Sequence, residues 1–435
     1  MRRLQRILEQ YLKRCVQRAF TRERPLVIGV GGSVGKTSAK QAIGTVLRAN
    51  KSNSTVVMSI KNHNNEIGVP MAVFGINELG RSIVCWIDLL YTATITALGI
   101  LPLRARTFIL ELATDRPGDM AYLVDMVRPS IGVLTAISPE HTEFLGSIDG
   151  VLKEELSLLS SLETDHIAIV NADDAMLVNA SRDLSVVLLS FGYAEHATVR
   201  ILSTEAFLDA TIPDLSGLRV RLAFYNRFQT ITIHGTVGRS QAYAVACAMT
   251  IICALDGDEE LAIHELETYV GNPGRMRLLP GIKQSWIIDD TYNSSPRAVA
   301  AAVEDLKEFP VEQKGRRIAV MGDMLELGVL AEEEHINMGT HLASVAHELI
   351  VVGEYASIVQ RAAIAAGMNE QSVSIFSSSS DAGRFLQDRL KKHDVVLVKG
   401  SQGNRMERVV REVMAHPEHA GELLVRQGKK WLAKN

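Results

Sequence analysis

Cysteine is scarce in this chain of 435 residues, with Cys15, Cys85, Cys247 and Cys253 scattered along it. No two of them stand at a short metal-ligand spacing and no disulfide-like pattern is present, so free thiols in a reducing compartment fit best. A surplus of one charge is missing as well. The formal net charge of −4 gives no overall reason to expect nucleic acid as a partner. There is no internal repeat and no low-complexity tract, and the short serine run Ser377–Ser380 reads as a helix cap region. A secretory leader is excluded, because Arg2, Arg3, Arg6, Lys13, Arg14 and Arg18 interrupt any apolar stretch at the N-terminus. What remains, 47% apolar and 22% charged residues, is the composition of a soluble globular protein, and the length predicts two or three domains.

The N-terminal segment carries Leu4, Ile7, Leu8, Tyr11, Leu12, Cys15, Val16 and Ala19 at helical spacing, which predicts a basic amphipathic helix within residues 1–25. Such a helix can dock on its own domain or lie on an anionic membrane. From Leu26 onward, short β-branched runs (Leu26–Val30, Phe108–Leu112, Ile131–Ile137, His166–Val170) alternate with the helical patterns Thr37–Ala49 and Asp149–Leu162. This alternation predicts an α/β fold, with a mostly parallel sheet covered by helices on both faces. The turn-rich stretch from about Val186 to Thr236 predicts a small antiparallel annex, and the alanine-rich Gln241–Leu255 a buried helix. After Gly271-Asn272-Pro273-Gly274, read as a hinge, the alternation restarts. The runs Trp286–Asp290, Arg317–Met321, Glu348–Val352 and Val395–Val398 predict strands of a second, Rossmann-like α/β domain of roughly 160 residues. The expected organisation is a helix over 1–25, a P-loop-type central domain over 26–271 and a C-terminal domain over 272–435.

Gly31-Gly32-Ser33-Val34-Gly35-Lys36-Thr37-Ser38 follows a predicted strand and opens a predicted helix. In that setting successive backbone N–H groups and a helix N-terminus form an anion cradle. Lys36 would reach terminal phosphates and Thr37 would place its hydroxyl on Mg²⁺. Val30 stands where the full P-loop pattern has glycine, so this is the shorter G-x-x-G-K-T form, and it predicts a bound nucleoside triphosphate.

That short loop resembles the loop of the Mur ligases and their folylpolyglutamate relatives, and further matches follow in the family's order. They are Asn62-His63-Asn64-Asn65-Glu66-Ile67-Gly68-Val69-Pro70, Glu111-Leu112-Ala113 with Arg116-Pro117-Gly118-Asp119, His141-Thr142-Glu143 with Gly146-Ser147, and Val170-Asn171-Ala172-Asp173-Asp174. Gly274-Arg275, Asp289-Asp290-Thr291-Tyr292-Asn293-Ser294-Ser295-Pro296, Gly322-Asp323-Met324-Leu325-Glu326-Leu327-Gly328 and Lys399-Gly400-Ser401 complete the series. The asparagine-rich and Gly-Asp-Met blocks are similar to the branch that adds D-alanyl-D-alanine. The resemblance implies an ATP-dependent ligase that phosphorylates a carboxylate and lets an amine attack the acyl phosphate, with a cell-wall precursor and an amino acid or dipeptide as substrates. Thr37 and Glu111 would hold one Mg²⁺ and His141 a second. Gly32, Ser33, Gly35, Lys36, Thr37, Ser38, Asn293 and Arg275 would contact ATP, and Asn64, Asn65, Asp323, Lys399 and Ser401 would lie near the other substrates.

Four features depart from the family pattern. Aligning the flanking blocks places Glu155 where the family usually carries a lysine modified by CO₂ on the second-metal site, so Glu155 becomes the candidate ligand. Lys153, two residues away, faces the opposite side of a helix. Gln402 stands where the family has arginine, with Arg405 close by as a stand-in. Only about 25 residues precede the first strand, where these ligases normally carry a uridine-nucleotide-binding domain. The apolar run Ile83–Leu103, within an insertion over 80–106, is nearly long enough to span a bilayer. Asp88 would cost about 2.5–3.5 kcal/mol at the bilayer centre, and a span would separate the loop from Glu111. The run is therefore expected to form an interfacial or partner-binding helical hairpin flanked by Arg81, Arg104 and Arg106. Together these features suggest a cytoplasmic enzyme, peripheral at the inner face of the membrane through residues 1–20 and 81–106, whose acceptor is lipid-linked. A second reading, motivated by Glu155 and the missing domain, is a nucleotide-binding partner or scaffold with weak turnover.

Overall fold

A computed structural model describes residues 2–50, 55–59, 63–79, 83–139, 142–209, 211–225, 227–312 and 314–432. Two sheets organise them. The first has the order β2-β3-β1-β4-β5-β6-β7-β8-β9, with β1 Leu26–Gly31, β2 Val56–Met58, β3 Thr107–Glu111, β4 Ile131–Leu134, β5 Ile167–Asn171, β6 Val187–Gly192, β7 Val199–Phe207, β8 Gly217–Phe224 and β9 Arg227–His234. Pairing is parallel from β2 to β7 and antiparallel from β7 to β9. The expected antiparallel annex is thus a continuation of the main sheet, and it starts later than the turn-rich pattern implied. Val187–Gly192 pairs in parallel with β5, as its runs of apolar residues allow.

The second sheet has the order β10-β11-β15-β12-β13-β14: β10 Arg277–Gly281, β11 Ser285–Asp290, β12 Arg317–Gly322, β13 Glu348–Val352, β14 Val373–Phe376 and β15 Val395–Lys399. It is parallel except for β10 against β11. The two strands that the sequence pattern did not suggest, β10 and β14, are its edges. β10 contains Pro280, which an edge tolerates because no neighbouring strand needs its missing N–H; its carbonyl still accepts from Ala415 N at 2.9 Å.

Helices cover both faces of the first sheet, as the alternation predicts. On one face, α2 (Lys36–Asn50) and the helix Arg239–Ala254 enclose a core of Ile28, Val30, Ile43, Leu47, Val245 and Met249. On the other, α1 (Arg2–Glu23), α3 (Gly68–Phe74), α4 (Ile83–Ala97) and the helices Asp119–Val127 and Ile148–Ser160 pack around Leu12, Phe20, Phe108, Leu110 and Leu158. The apolar insertion is not the helical hairpin expected of it. It is one helix of 15 residues followed by a short return through Gly99 and Pro102, whose φ of +81° and missing N–H respectively stop the helix. Among the described residues no helix is long and apolar enough to cross a membrane.

The strand order places β1 between β3 and β4: the crossover from β1 to β2 runs to one side, and that from β3 to β4 runs past β1 to the other. A crevice opens at the C-terminal ends of such strands, where ligands bind in open α/β sheets. The glycine loop and Glu111 both sit there.

Candidate active site at the switch point of the first sheet

The loop after β1 turns through Gly32 and Gly35, at φ of +111° and +95°, a region open to glycine at little cost. A Cβ on Gly32 would lie 2.5 Å from Thr135 Oγ1 and 2.9 Å from Thr135 N, so the backbone approach is too close for any other residue. The segment after β4 stitches the loop down: Ser33 N donates to Ala136 O at 2.7 Å, and Ser138 N donates to Ser33 Oγ at 3.0 Å. α2 then begins at Lys36, and its first amides lack intrahelical acceptors. Lys36 Nζ curls back to donate to Gly32 O and, at 3.2 Å, to Ser33 O, so its charge crowns the loop.

Glu111 ends β3 beside this crown. Its carboxylate accepts from Thr37 Oγ1 at 3.2 and 3.4 Å and from Lys40 Nζ at 2.8 Å. Both members of the Lys40–Glu111 pair are buried. Burial pushes the Glu111 carboxyl up, but the ammonium of Lys40, with Lys36 and Arg275 behind it, outweighs that and holds it below the ordinary range. Glu111 is therefore an anion next to a hydroxyl at the mouth of an amide cradle. Two hard oxygen donors of this kind suit Mg²⁺, and the glycine cradle suits a phosphate, so the residues present fit a magnesium-bound nucleotide. Lys40 was not among the residues expected at the site. The signal that would have found it is its position one helical turn after Lys36, on the flank of α2 that packs against β3.

Glu155 lies beneath the same loop, on the helix Ile148–Ser160. Its Oε2 accepts from Gly32 N at 2.7 Å and its Oε1 from Thr114 Oγ1 at 3.4 Å, and it is only 3% exposed. Burial raises its carboxyl against the opposing pull of Lys36 and the Gly32 amide. Lys153 is exposed, on the far side of that helix. The neighbouring Glu154, also unforeseen, accepts from Gly118 N and Met120 N at 2.9 and 2.7 Å and so fixes the loop after β3. His141 lies outside the described residues. Asn64 O accepts from Ala113 N at 3.1 Å, just past Glu111, while Asn65 Oδ1 accepts from Gly68 N, the first residue of α3, at 2.9 Å.

The segment that links the two sheets reaches the same crevice. Asn272 Nδ2 approaches Thr37 O at 3.5 Å, and the Arg275 guanidinium lies over the Tyr292 ring, 4.1 Å from its centroid. From the helix Pro296–Glu308, Arg297 Nη1 donates to both Asp174 Oδ2 and Ile137 O at 2.7 Å, tying the second sheet to the first.

The remaining predicted residues gather at the C-terminal strand ends of the second sheet. Lys399 is 1% exposed, and its Nζ donates to Asp290 Oδ2 at 2.6 Å and Asn293 O at 3.0 Å. Asp323 accepts from Glu354 N and Tyr355 N at 2.9 and 3.1 Å. Ser401 Oγ accepts from Leu325 N at 2.9 Å. Asn293 is exposed beside them. Arg405 does not stand in for the family's arginine. It is buried, with Nε on Glu407 at 2.6 Å and Nη1 on Trp431 O at 2.9 Å, because an adjacent buried carboxylate claims its fork.

Comparison with known proteins agrees with this geometry. The Mur ligase middle domain matches residues 92–251, and the Mur ligase glutamate ligase domain matches residues 274–402. The UDP-N-acetylmuramoyl-tripeptide–D-alanyl-D-alanine ligase of Rickettsia prowazekii is 26% identical over 390 residues, which are 88% of this chain and 77% of that protein. The ligase of the same name from Bacillus subtilis is 25% identical over 415 residues, 94% of this chain and 79% of the other. Among solved structures, the MurF ligase of Thermotoga maritima, crystallised with ADP, superposes with a TM-score of 0.74 at 24% identity, covering 93% of this chain and 83% of that one. A MurF structure from Acinetobacter baumannii gives 0.73 at 23% identity, covering 93% and 79%. The chain belongs to the Mur ligase family, and carries its middle and glutamate ligase domains in that order.

Proposed function

We propose that this protein is an ATP-dependent ligase that joins the free carboxylate of a UDP-N-acetylmuramoyl-tripeptide to the amine of D-alanyl-D-alanine in the cytoplasm. The observation that carries the reading is the contact of Thr37 with an ionised, buried Glu111 at the mouth of the glycine cradle. The names of the relatives supply the substrates. The domain division at the Gly271–Gly274 hinge is part of the same proposal.

ATP supplies the transferable phosphoryl group, and Mg²⁺ the charge that offsets its oxygens. Thr37 and Glu111 are the residues that would hold the metal, with His141 and Glu155 assigned to a second ion. The chain's own groups do the rest. The amides at the start of α2 point at the phosphates, and Lys36 leaves its two carbonyl acceptors to neutralise the terminal one. A carboxylate oxygen of the tripeptide then bonds to the terminal phosphorus as the bond to ADP breaks, giving an acyl phosphate. The amine of the dipeptide attacks the acyl carbon, loses a proton, and expels inorganic phosphate. Asn293 and Arg275 would close on the nucleotide from the hinge side, and Asn64, Asn65, Asp323, Lys399 and Ser401 would line the path of the other two substrates. Phosphate release should require both the muramoyl tripeptide and D-alanyl-D-alanine. Release that ignores the amine, or is absent with every amino acid and dipeptide tried on soluble and lipid-linked muropeptides, would refute the assignment.

A further inference from the structure

We propose that the outer face of α1 and α4 docks on an anionic lipid bilayer, independently of which substrate the site takes. α1 settles the choice between own-domain docking and exposure by doing both. Its inner side, Leu12, Cys15, Val16, Ala19 and Phe20, is buried against the domain, while Ile7 and Tyr11 remain exposed on the outer side. α4 is more one-sided. It buries only Leu89, Ala93 and Thr96, and leaves Ile83 76%, Val84 72%, Ile87 60% and Tyr91 63% exposed, with Leu98 and Ile100 following at 63% and 71%. Residues 83, 87 and 91 are spaced i, i+4, i+8 and Leu98 extends the line, so these side chains form one stripe roughly 22 Å long. Water gains nothing from solvating such a stripe, and contiguous apolar surface of this extent marks an interaction site.

The two helices present this surface as one platform. Tyr11 Oη and Thr94 Oγ1 lie 2.6 Å apart, Arg22 Nη1 donates to Ala97 O at 3.2 Å, and both Glu23 oxygens accept from Leu103 N at 3.0 Å. The platform lies on the sheet face opposite α2, which leaves the nucleotide crevice at the strand ends unobstructed.

Charge selects the occupant. Arg6, Arg14 and Arg18 are exposed along α1, and Arg104 and Arg106 are exposed at the end of the insertion, on a chain whose net charge is −4. Of the neighbouring acids, Glu23 is spent on Arg22 and Leu103 N, and Asp125 on Lys13. Asp88 is exposed at the stripe's margin. An apolar crest fringed by arginines matches the headgroup–acyl boundary, where such helices sink about 5–10 Å and arginine stems follow the apolar side while their heads meet phosphates. A protein partner would need carboxylates at matching places, whereas a fluid anionic bilayer offers lipid phosphates in any register.

The test is co-sedimentation of the full chain with vesicles of phosphatidylglycerol or of phosphatidylcholine alone. Binding to the anionic vesicles is expected, weakened in high salt. The double variant Ile87→Ser, Tyr91→Ser should lower it more than ten-fold. Arg14→Gln with Arg18→Gln should lower it about twenty-five-fold, at roughly five-fold per arginine. All four positions are exposed, so nucleotide binding by the variants should match wild type and report an intact fold. Absent binding, equal binding to neutral vesicles, or indifference to both double variants would overturn the proposal. So would a soluble oligomer that dissociates in Ile87→Ser, Tyr91→Ser with no vesicle binding, which would assign the face to protein.

Discussion

Replacing Lys40 with methionine keeps its stem in the packed space between α2 and β3 and removes only the ammonium. Glu111 then loses the partner that offsets its burial, and a buried ion pair broken from one side costs about 3–5 kcal/mol. For a domain of about 150–250 residues that is a fall in Tm of roughly 6–20 °C. The sign of the pH dependence follows from the same balance. In the wild type the Glu111 carboxyl sits below its ordinary value of 4.5, so its contribution is constant above that pH and is lost only as acid reaches the folded value. In Lys40→Met, burial, the largest influence on this carboxyl, should push it above its ordinary value against Lys36 and Arg275, so the penalty should grow as pH rises and the group is forced to ionise. Thermal unfolding of both proteins at pH 5 and pH 8 should show a gap that widens with pH, and Mg²⁺-dependent nucleotide binding by the variant should recover only toward high pH. A gap that is small, or equal at the two pH values, would refute the view that Lys40 keeps Glu111 charged.

Lys36→Ala should abolish phosphate release and weaken nucleotide binding at least ten-fold by calorimetry, because the cradle loses the ammonium that crowns it; unchanged binding would place the phosphates elsewhere. Glu155→Ala should slow turnover while ATP still binds. Glu155→Gln, which can still accept from Gly32 N, should bind ATP as wild type does, and a wild-type rate in Glu155→Ala would remove Glu155 from the site. Asp305, buried against Arg239 N at 3.1 Å, is pushed up to about 7 by burial from an ordinary 3.8. Its raised value means that the stability it allows at low pH is lost as pH rises toward 7. Asp305→Asn should therefore gain in Tm over wild type between pH 5 and pH 8; a constant difference would contradict that.

The phosphate loop was legible because its chemistry is contiguous: glycines, lysine and threonine act within one strand-turn-helix, and periodicity places all three parts. Glu111 was legible through resemblance alone, since a glutamate ending an apolar strand carries no signature of its own. Lys40 was hidden for the opposite reason. A lysine on an amphipathic helix ordinarily marks the solvated side, and only the packing of α2 against β3 and Ser59 buries it. Glu155 was singled out by aligning the flanking blocks of the family pattern, but its hydrogen bond to Gly32, 123 residues away in sequence, is a tertiary fact. Edge strands β10 and β14 escaped because β10 carries Pro280 and β14 is four residues long, too little alternation for a period of two to show. The apolar run at 83–103 misled toward a hairpin because hydrophobicity gives length without direction, and the stop lies in the single turn at Gly99.

The acyl phosphate is the hinge of the mechanism, and isotope transfer reads it directly. With the tripeptide carboxylate labelled by ¹⁸O, turnover with ATP and D-alanyl-D-alanine should deliver one labelled oxygen into each inorganic phosphate released, detected by mass spectrometry. Phosphate released without label while the amide forms would contradict the account.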